Sequence, residues 1–221
     1  NKVKPDIVIN CAGKVGGILA NSTQRYEFLT ENLKINLNIF EAIRELKNVL
    51  VLNFGSSSIY PKNSQIPIVE SSLMTGTLED TNSPYSLSKI VGIELGKSLH
   101  RDNLKIINLI PTNLYGPNDN FDLTSSHVLP AILRKCHEAK QQNRSSLEIW
   151  GSGTPKREFL HVDDLADACL FLMRNYNDNE IINVGTGVDI SIRELATMIK
   201  DIIGFNGELT FDGSKPDGTP R

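Results

Sequence analysis

The sequence has 221 residues, enough to bury one substantial domain, or one domain and part of another. Its 23 basic and 26 acidic side chains leave a formal net charge of -3 with no Lys/Arg-rich block, so the electrostatic footprint of a nucleic-acid-binding protein is absent. No apolar run approaches the roughly 20 residues of a membrane-spanning helix, the start lacks the features of a signal peptide, and Cys11, Cys136 and Cys169 show no CxxC spacing for a metal or a redox pair. These features predict a cytoplasmic protein with reduced thiols, no metal, and small-molecule or protein partners.

DIVINCAG, from Asp6, reads as a short apolar strand closed by glycine. A helical pattern follows over residues 27–47, with Phe28, Leu29, Leu33, Ile35, Leu37, Ile39, Phe40, Ile43 and Leu46 as a broad apolar face. VLVLNFGSS is a second strand ending in three serines. The segment from Pro84 to Arg101 predicts a helix with Pro84 at its first position and Leu87, Ile90, Val91, Leu95 and Leu99 as its stripe. KIINLIPTN is a third strand.

After about Gly116 the character changes. A polar loop, PNDNFDLTSSHV, runs into a helix from about Val128 to Lys140, and SLEIWGSGTPKREFLHV predicts two short strands about a glycine turn. A helix near Asp163, the strand IINVGTG, the helix SIRELATMIKDIIG and a last strand in ELTFDG complete the pattern. Strands alternating with helices predict an α/β fold with a Rossmann-like, doubly wound parallel sheet and a smaller C-terminal α/β substrate lobe. The expected division is a partial dinucleotide-binding domain over 1–117 and a mainly substrate-binding lobe over 118–221, with 161–187 returning to the first domain.

In such sheets ligands bind outside the carboxyl ends of the strands, where Ser56, Ser57 and Ser58 fall. Tyr85 and Lys89 are spaced i, i+4 on one helix face. A lysine beside a phenol favours the phenolate and lowers its pKa, making the tyrosine a usable proton donor or acceptor. A neighbouring serine hydroxyl can bond the same substrate oxygen. Alone, YxxxK is most often a surface lysine near a half-buried tyrosine; its place after a serine-rich strand end favours proton transfer to a carbonyl that receives a hydride.

The longer segments GKVGGILANST, FGSSSIYPK, SLMTGTLEDTNSPYSLSKIVG, PTNLYGPNDNF, SHVLPAILRK, WGSGTPKREFLHVDDLADA, INVGTG and FDGSKPDGTP carry a more specific likeness. Along nearly the whole chain they resemble the GDP-4-keto-6-deoxy-D-mannose 3,5-epimerase-4-reductase family, within the extended short-chain dehydrogenase/reductase superfamily of NAD-dependent epimerase/dehydratase type. The resemblance implies an NADP(H)-dependent enzyme that inverts C3 and C5 of a GDP-bound keto-sugar and reduces C4, giving GDP-L-fucose. It implies Ser56, Tyr85 and Lys89 as the reductase triad and His127 as an acid/base group that also lies at the cofactor. Ala12, Lys89, Pro111 and Leu114 would line the NADP(H) site. Asn113, Val128, Lys135, Trp150, Arg157 and Asp217 would bind the GDP-sugar, and a homodimer is expected through the 27–47 helix and the helix carrying YxxxK. His161 is expected to make a structural strand-end hydrogen bond, His100 and His137 to lie on helix surfaces, and Cys11 to be a small buried apolar residue.

Two departures from the family pattern stand out. Position 58 is a cysteine in the family, acting as partner to the histidine, and is Ser58 here. A thiol is tuned to ionise far more readily than an alkyl hydroxyl, so epimerisation is expected to be slowed or altered while reduction survives. This leaves open a GDP-sugar 4-reductase or an epimerase with a different product. The glycine-rich dinucleotide fingerprint is also absent, since GKVGG at 13–17 is not GxGxxG and follows a later strand. With no initiator Met, the chain is expected to be a fragment that by itself binds dinucleotide poorly and is inactive. On that ground a non-catalytic nucleotide-sugar-binding module is the remaining alternative.

Overall fold

A computed structural model describes residues 4–101, 103–215 and 217–218. In chain order the elements are β1 (Ile7–Asn10), α1 (Ile18–Thr23), α2 (Arg25–Ile43), β2 (Val49–Phe54), α3 (Ser83–Leu99), β3 (Leu104–Pro111), β4 (Asn113–Tyr115) and α4 (Val128–Gln141). β5 (Ser146–Trp150), β6 (Lys156–His161), α5 (Val162–Asn175), β7 (Ile181–Val184), β8 (Asp189–Ser191), α6 (Ile192–Ile203) and β9 (Glu208–Asp212) follow. The α/β class with a parallel sheet is the one the alternation of strands and helices predicts.

The main sheet runs β1-β2-β3-β7 with every pair parallel. β3 is buried along its length except at Lys105, as a strand covered on both faces must be. One face packs Val49, Val51, Leu104 and Ile106 against Phe40 and Ile43 of α2. The other packs Leu52, Ile107 and Leu109 against Leu165, Cys169 and Leu172 of α5. Fully burying one such side chain contributes about 2 kcal/mol before the entropy of ordering is counted.

Two smaller sheets lie beyond it. β4-β6-β8 is mixed, β4 parallel and β8 antiparallel to β6, and β5 pairs in parallel with β9. α4 and α6 cover the second of these through Ile132, Cys136, Ala139, Leu195 and Ile199 around Leu147 and Ile149. α6 is closed at both ends, by a capping box between Ser191 and Glu194 and by Gly204 in the left-handed region at φ 70°. No helix among the described residues is long and apolar enough to cross a membrane.

Several expectations need correction. The helix predicted over 27–47 spans Arg25–Ile43, and its buried face is Phe28, Asn32, Asn36, Phe40 and Ile43. Leu37 is 49% exposed. α3 begins at Ser83 behind Asn82, and its buried stripe is Ser86, Ser88, Ile90, Gly92, Ile93 and Gly96, leaving Leu87 and Val91 exposed. Small residues share the buried face with Ile90 and Ile93 and let this helix lie close to its neighbours, while Leu87 and Val91 turn outward. The two short strands expected about the WGSG turn are present as β5 and β6, and they enter different sheets. Cys11 is exposed. His100 is more than surface, since its Nδ1 accepts the Ile106 N–H at 3.1 Å. His161 behaves as expected: it caps α5, its Nδ1 accepting the Asp163 N–H at 3.3 Å.

Candidate active site

β2 ends at Phe54 and the chain turns into a single 3₁₀ turn over Ser57–Ile59, with Ser56 as its N-cap. The Ser58 N–H donates to Ser56 Oγ at 3.3 Å, and the Ser56 and Ser58 hydroxyls lie 3.0 Å apart. Ser86 on the first turn of α3 donates to Ser58 O at 2.8 Å. The serine-rich strand end is thereby fastened to the helix that carries Tyr85 and Lys89.

Burial pushes the Tyr85 phenol up to about 12, and the Ser56 hydroxyl beside it acts the other way. Lys89 Nζ donates to Phe54 O at 2.9 Å and stands 5.8 Å from the Tyr85 ring centroid. Burial holds the Lys89 ammonium below its ordinary value. The expected lowering of the tyrosine by the lysine is therefore not what this arrangement gives. Desolvation is the largest influence on the phenol, which stays protonated near neutrality.

A glycine-rich loop at 13–17 joins the other elements to this cluster. A Cβ on Gly13 would stand 3.7 Å from Lys89 Nζ. The buried Asn32 accepts the Lys14 N–H at 2.9 Å and donates to Lys14 O at 3.0 Å, and Asn21 donates to Gly16 O at 2.6 Å. Phe28, beneath the loop, meets Tyr85 edge-on with centroids 6.3 Å apart. On the far side the Gly17 N–H donates to Ser125 O at 2.9 Å, and a Cβ at Gly17 would come within 2.4 Å of Ser126 O. Only glycine admits that approach, which brings the segment leading to His127 up to the loop.

His127 is the N-cap residue of α4, with no side-chain cap hydrogen bond. Surrounding protein lowers its pKa and Asp119 raises it, the lowering being the larger. The residue is nonetheless exposed, so the imidazole is only partly desolvated. No hydrogen bond among the described residues joins it to Ser58 or Tyr85.

The residues expected at the cofactor line the carboxyl ends of the strands. Ala12 follows β1, its N–H donating to Asn10 Oδ1 at 3.2 Å. Pro111 closes β3, and Leu114 in β4 packs against the cluster between the main sheet and α5.

The residues expected at the nucleotide-sugar divide into groups. Trp150, at the end of β5, is 46% exposed, with Lys135 Nζ 5.3 Å from its ring centroid and Lys215 Nζ 5.5 Å from it. Burial lowers the Lys135 pKa while Glu148 raises it. Asp217 accepts the Ser152 N–H at 2.7 Å and its hydroxyl at 2.8 Å, which folds the segment after β9 over the WGSG turn. Arg157 lies beside Asp217 and Glu79; burial lowers its pKa and those carboxylates raise it. Asn113 donates to Glu158 O at 3.1 Å, and Val128, the first residue of α4, packs half-buried against the core cluster of that lobe. Lys215 was missed by the sequence reading. Its signal was present in FDGSKPDGTP, but nothing local shows that the lysine returns to Trp150.

Residues 1–185 match the NAD dependent epimerase/dehydratase family. A protein of Arabidopsis thaliana named putative GDP-L-fucose synthase 2 is 50% identical over 219 residues, covering 99% of this chain and 67% of its own length. A GDP-6-OMe-4-keto-L-xylo-heptose reductase from C. jejuni superimposes with a TM-score of 0.89 at 36% identity, over 97% of this chain and 73% of that one. A GDP-L-fucose synthetase from Naegleria fowleri bound to NADP gives a TM-score of 0.89 at 32% identity, over all of this chain and 68% of that one. With a parallel sheet whose second strand runs into Ser56, a following helix that carries Tyr85 and Lys89, and likeness along almost all its length, the chain belongs to the NAD dependent epimerase/dehydratase family.

Proposed function

We propose that the protein is a nucleotide-sugar epimerase and reductase, converting GDP-4-keto-6-deoxy-D-mannose to GDP-L-fucose with NADPH. The observation that carries this reading is the fastening of Ser56, Ser58, Tyr85 and Lys89 into one cluster, in a chain half identical to a protein named as a GDP-L-fucose synthase. The residues present fit the nicotinamide end of NADP(H). Lys89 holds a cation within ordinary contact distance of a Cβ at Gly13, and Ala12 after β1 and Pro111 at the end of β3 lie at strand ends of the main sheet. NADPH, when bound, supplies a hydride.

The protons on C3 and C5 flank the C4 ketone, and removing either places negative charge on O4. The protonated Tyr85 and the Ser56 hydroxyl donate to that oxygen and stabilise the enolate. In this reading His127 exchanges a proton at carbon on one face and Ser58 on the other. On reduction the Tyr85 proton passes to O4, and the neighbouring Lys89 ammonium stabilises the phenolate left behind. Trp150 packs on the nucleotide, while Lys135 and Arg157 neutralise its diphosphate.

A second reading is favoured by Ser58 itself. A hydroxyl is a poor acid/base partner beside a thiol, and a solved structure similar to this chain is a GDP-heptose reductase. In that reading the protein reduces C4 without inverting C3 and C5. Our reading also includes a cytoplasmic homodimer formed through α2 and α3, supported by exposed Leu37, Leu87 and Val91 on those helices, and a substrate lobe over 118–221 set against the cofactor-binding part over 1–117.

Incubation of the full-length protein with GDP-4-keto-6-deoxy-D-mannose and NADPH in deuterated water separates these readings. Deuterium at C3 and C5 with GDP-L-fucose as product is expected. Oxidation of NADPH without label would establish the 4-reductase instead, and neither exchange nor oxidation would remove both. If Ser58 limits inversion, Ser58→Cys raises the exchange rate relative to oxidation.

A further inference from the structure

A strip of asparagines crosses the apolar face of the main sheet. Asn10, Asn53 and Asn108 are in register on β1, β2 and β3 and are 6%, 3% and 0% exposed. Asn10 Nδ2 donates to Asn53 Oδ1 at 3.3 Å, and Asn53 Nδ2 donates to Asn108 Oδ1 at 2.9 Å. The strip is costly in place of aliphatic side chains, since buried amides must be desolvated and Asn108 Nδ2 finds no partner among the described residues.

What the strip touches is α3. Asn53 Nδ2 also reaches Gly92 O at 3.3 Å. One helical turn earlier, Asn36 of α2 donates to Ser88 O at 2.8 Å. The helix lies close to both neighbours: a Cβ on Gly92 would stand 2.8 Å from Asn36 Nδ2 of α2, and one on Gly96 would stand 2.8 Å from Asn108 Oδ1 of the strip. α3 is thus held from two sides, by the sheet and by α2, through polar contacts that point at its backbone carbonyls.

An interface of small and aliphatic side chains tolerates axial sliding of a helix, whereas buried hydrogen bonds accept few alternatives and are best attested as devices that fix register. Here the register is that of the catalytic pair. Asn53 precedes Phe54, whose carbonyl accepts Lys89, and lies three residues before Ser56, which faces Tyr85. Asn36 grips Ser88, between Tyr85 and Lys89. We infer that Asn53 and Asn36 are positioning residues for the reaction: they fix the axial position of α3 on β2 and so hold Tyr85 against Ser56 and Lys89 against Phe54 O. This rests on the reading of Tyr85 and Lys89 as the proton-transfer pair.

The test compares Asn53→Leu and Asn36→Ala with the wild type in the full-length protein, at temperatures well below each variant's melting point. Asn36→Ala leaves the sheet intact and guards against a failure of Asn53→Leu to fold. Expected is a fall in kcat of about 10- to 100-fold for Asn53→Leu, as misplacement of about 1 Å produces, and a smaller fall for Asn36→Ala, with KM for the sugar within about twofold in both. Asn36→Gln, which keeps the donor, should recover part of the lost turnover. Independently of turnover, the hydrogen-bonded Lys89 ammonium resonance in ¹⁵N-lysine spectra, identified by its loss in Lys89→Met, should shift in both variants. Lower melting points with kcat and the Lys89 resonance unchanged would overturn the inference. If Tyr85→Phe itself keeps full turnover, the catalytic reading fails, and the Lys89 resonance still reports whether the asparagines set the register.

Discussion

Around Ser56, Tyr85 and Lys89 the reactive groups hang from a buried strand and a helix pinned by hydrogen bonds, and burial governs their ionisation. Around Trp150 the cations come from α4 and from the segment after β9, converge on a half-exposed ring, and are arranged by exposed contacts such as Asp217 with Ser152. In the proposed reaction a proton travels between atoms held to fractions of an ångström, which suits carriers placed where packing leaves little freedom. A large, charged nucleotide can instead be gripped by many separately weak contacts at a surface.

The contrast predicts effects of different size and kind. Removing the phenol should be the most severe. Tyr85→Phe is expected to lower kcat for NADPH oxidation by roughly 10²- to 10⁴-fold, the range of a positioned general acid, with KM little changed. Trp150→Ala should act in the opposite sense, raising KM for the GDP-sugar about tenfold, as the loss of a cation-π and stacking surface implies, while kcat falls little. Lys215→Ala should raise KM by only about threefold, because an exposed cation contributes less than about 1 kcal/mol. Steady-state kinetics with purified GDP-sugar checks all three, and a large kcat loss at Trp150 would erase the division between the two regions.

A smaller effect concerns stability in alkali. The Tyr85 phenol is raised from 10.0 to about 12 in the folded protein, so folding binds its proton more tightly than the unfolded chain does. Its contribution is fully present below pH 10 and is lost as pH rises toward about 12, by at most about 3 kcal/mol. Tyr85→Phe lacks this loss. Urea unfolding of wild type and variant from pH 9 to 11 should show the variant gaining relative stability as pH increases, and parallel curves would contradict the buried phenol.

Much of the sheet is legible in the sequence, because runs such as LKIINLIP announce a strand buried on both faces. The helices mislead where their inward faces are not hydrophobic. Asn32 and Asn36 occupy core positions of α2, and Ser86, Ser88, Gly92 and Gly96 do so on α3, so counting aliphatic residues assigned Leu37 and Leu87 to the wrong face. Tyr85, Lys89 and Ser56 could be found from a short spacing and a strand end. The sign of the tyrosine shift could not, since it depends on how far the fold desolvates the phenol. Lys215 and Trp150 lie 65 positions apart, and only the pairing of β5 with β9 brings their neighbourhoods together.

The most direct measurement of the central claim is a single-turnover reaction of the full-length protein with the keto-sugar and NADPH deuterated at the transferable position of the nicotinamide. The account predicts deuterium at C4 of the product in the wild type and its near-complete loss in Tyr85→Phe, with sugar binding retained. Transfer to C4 at an undiminished rate in Tyr85→Phe would contradict it, because the proton reaching O4 would then come from elsewhere.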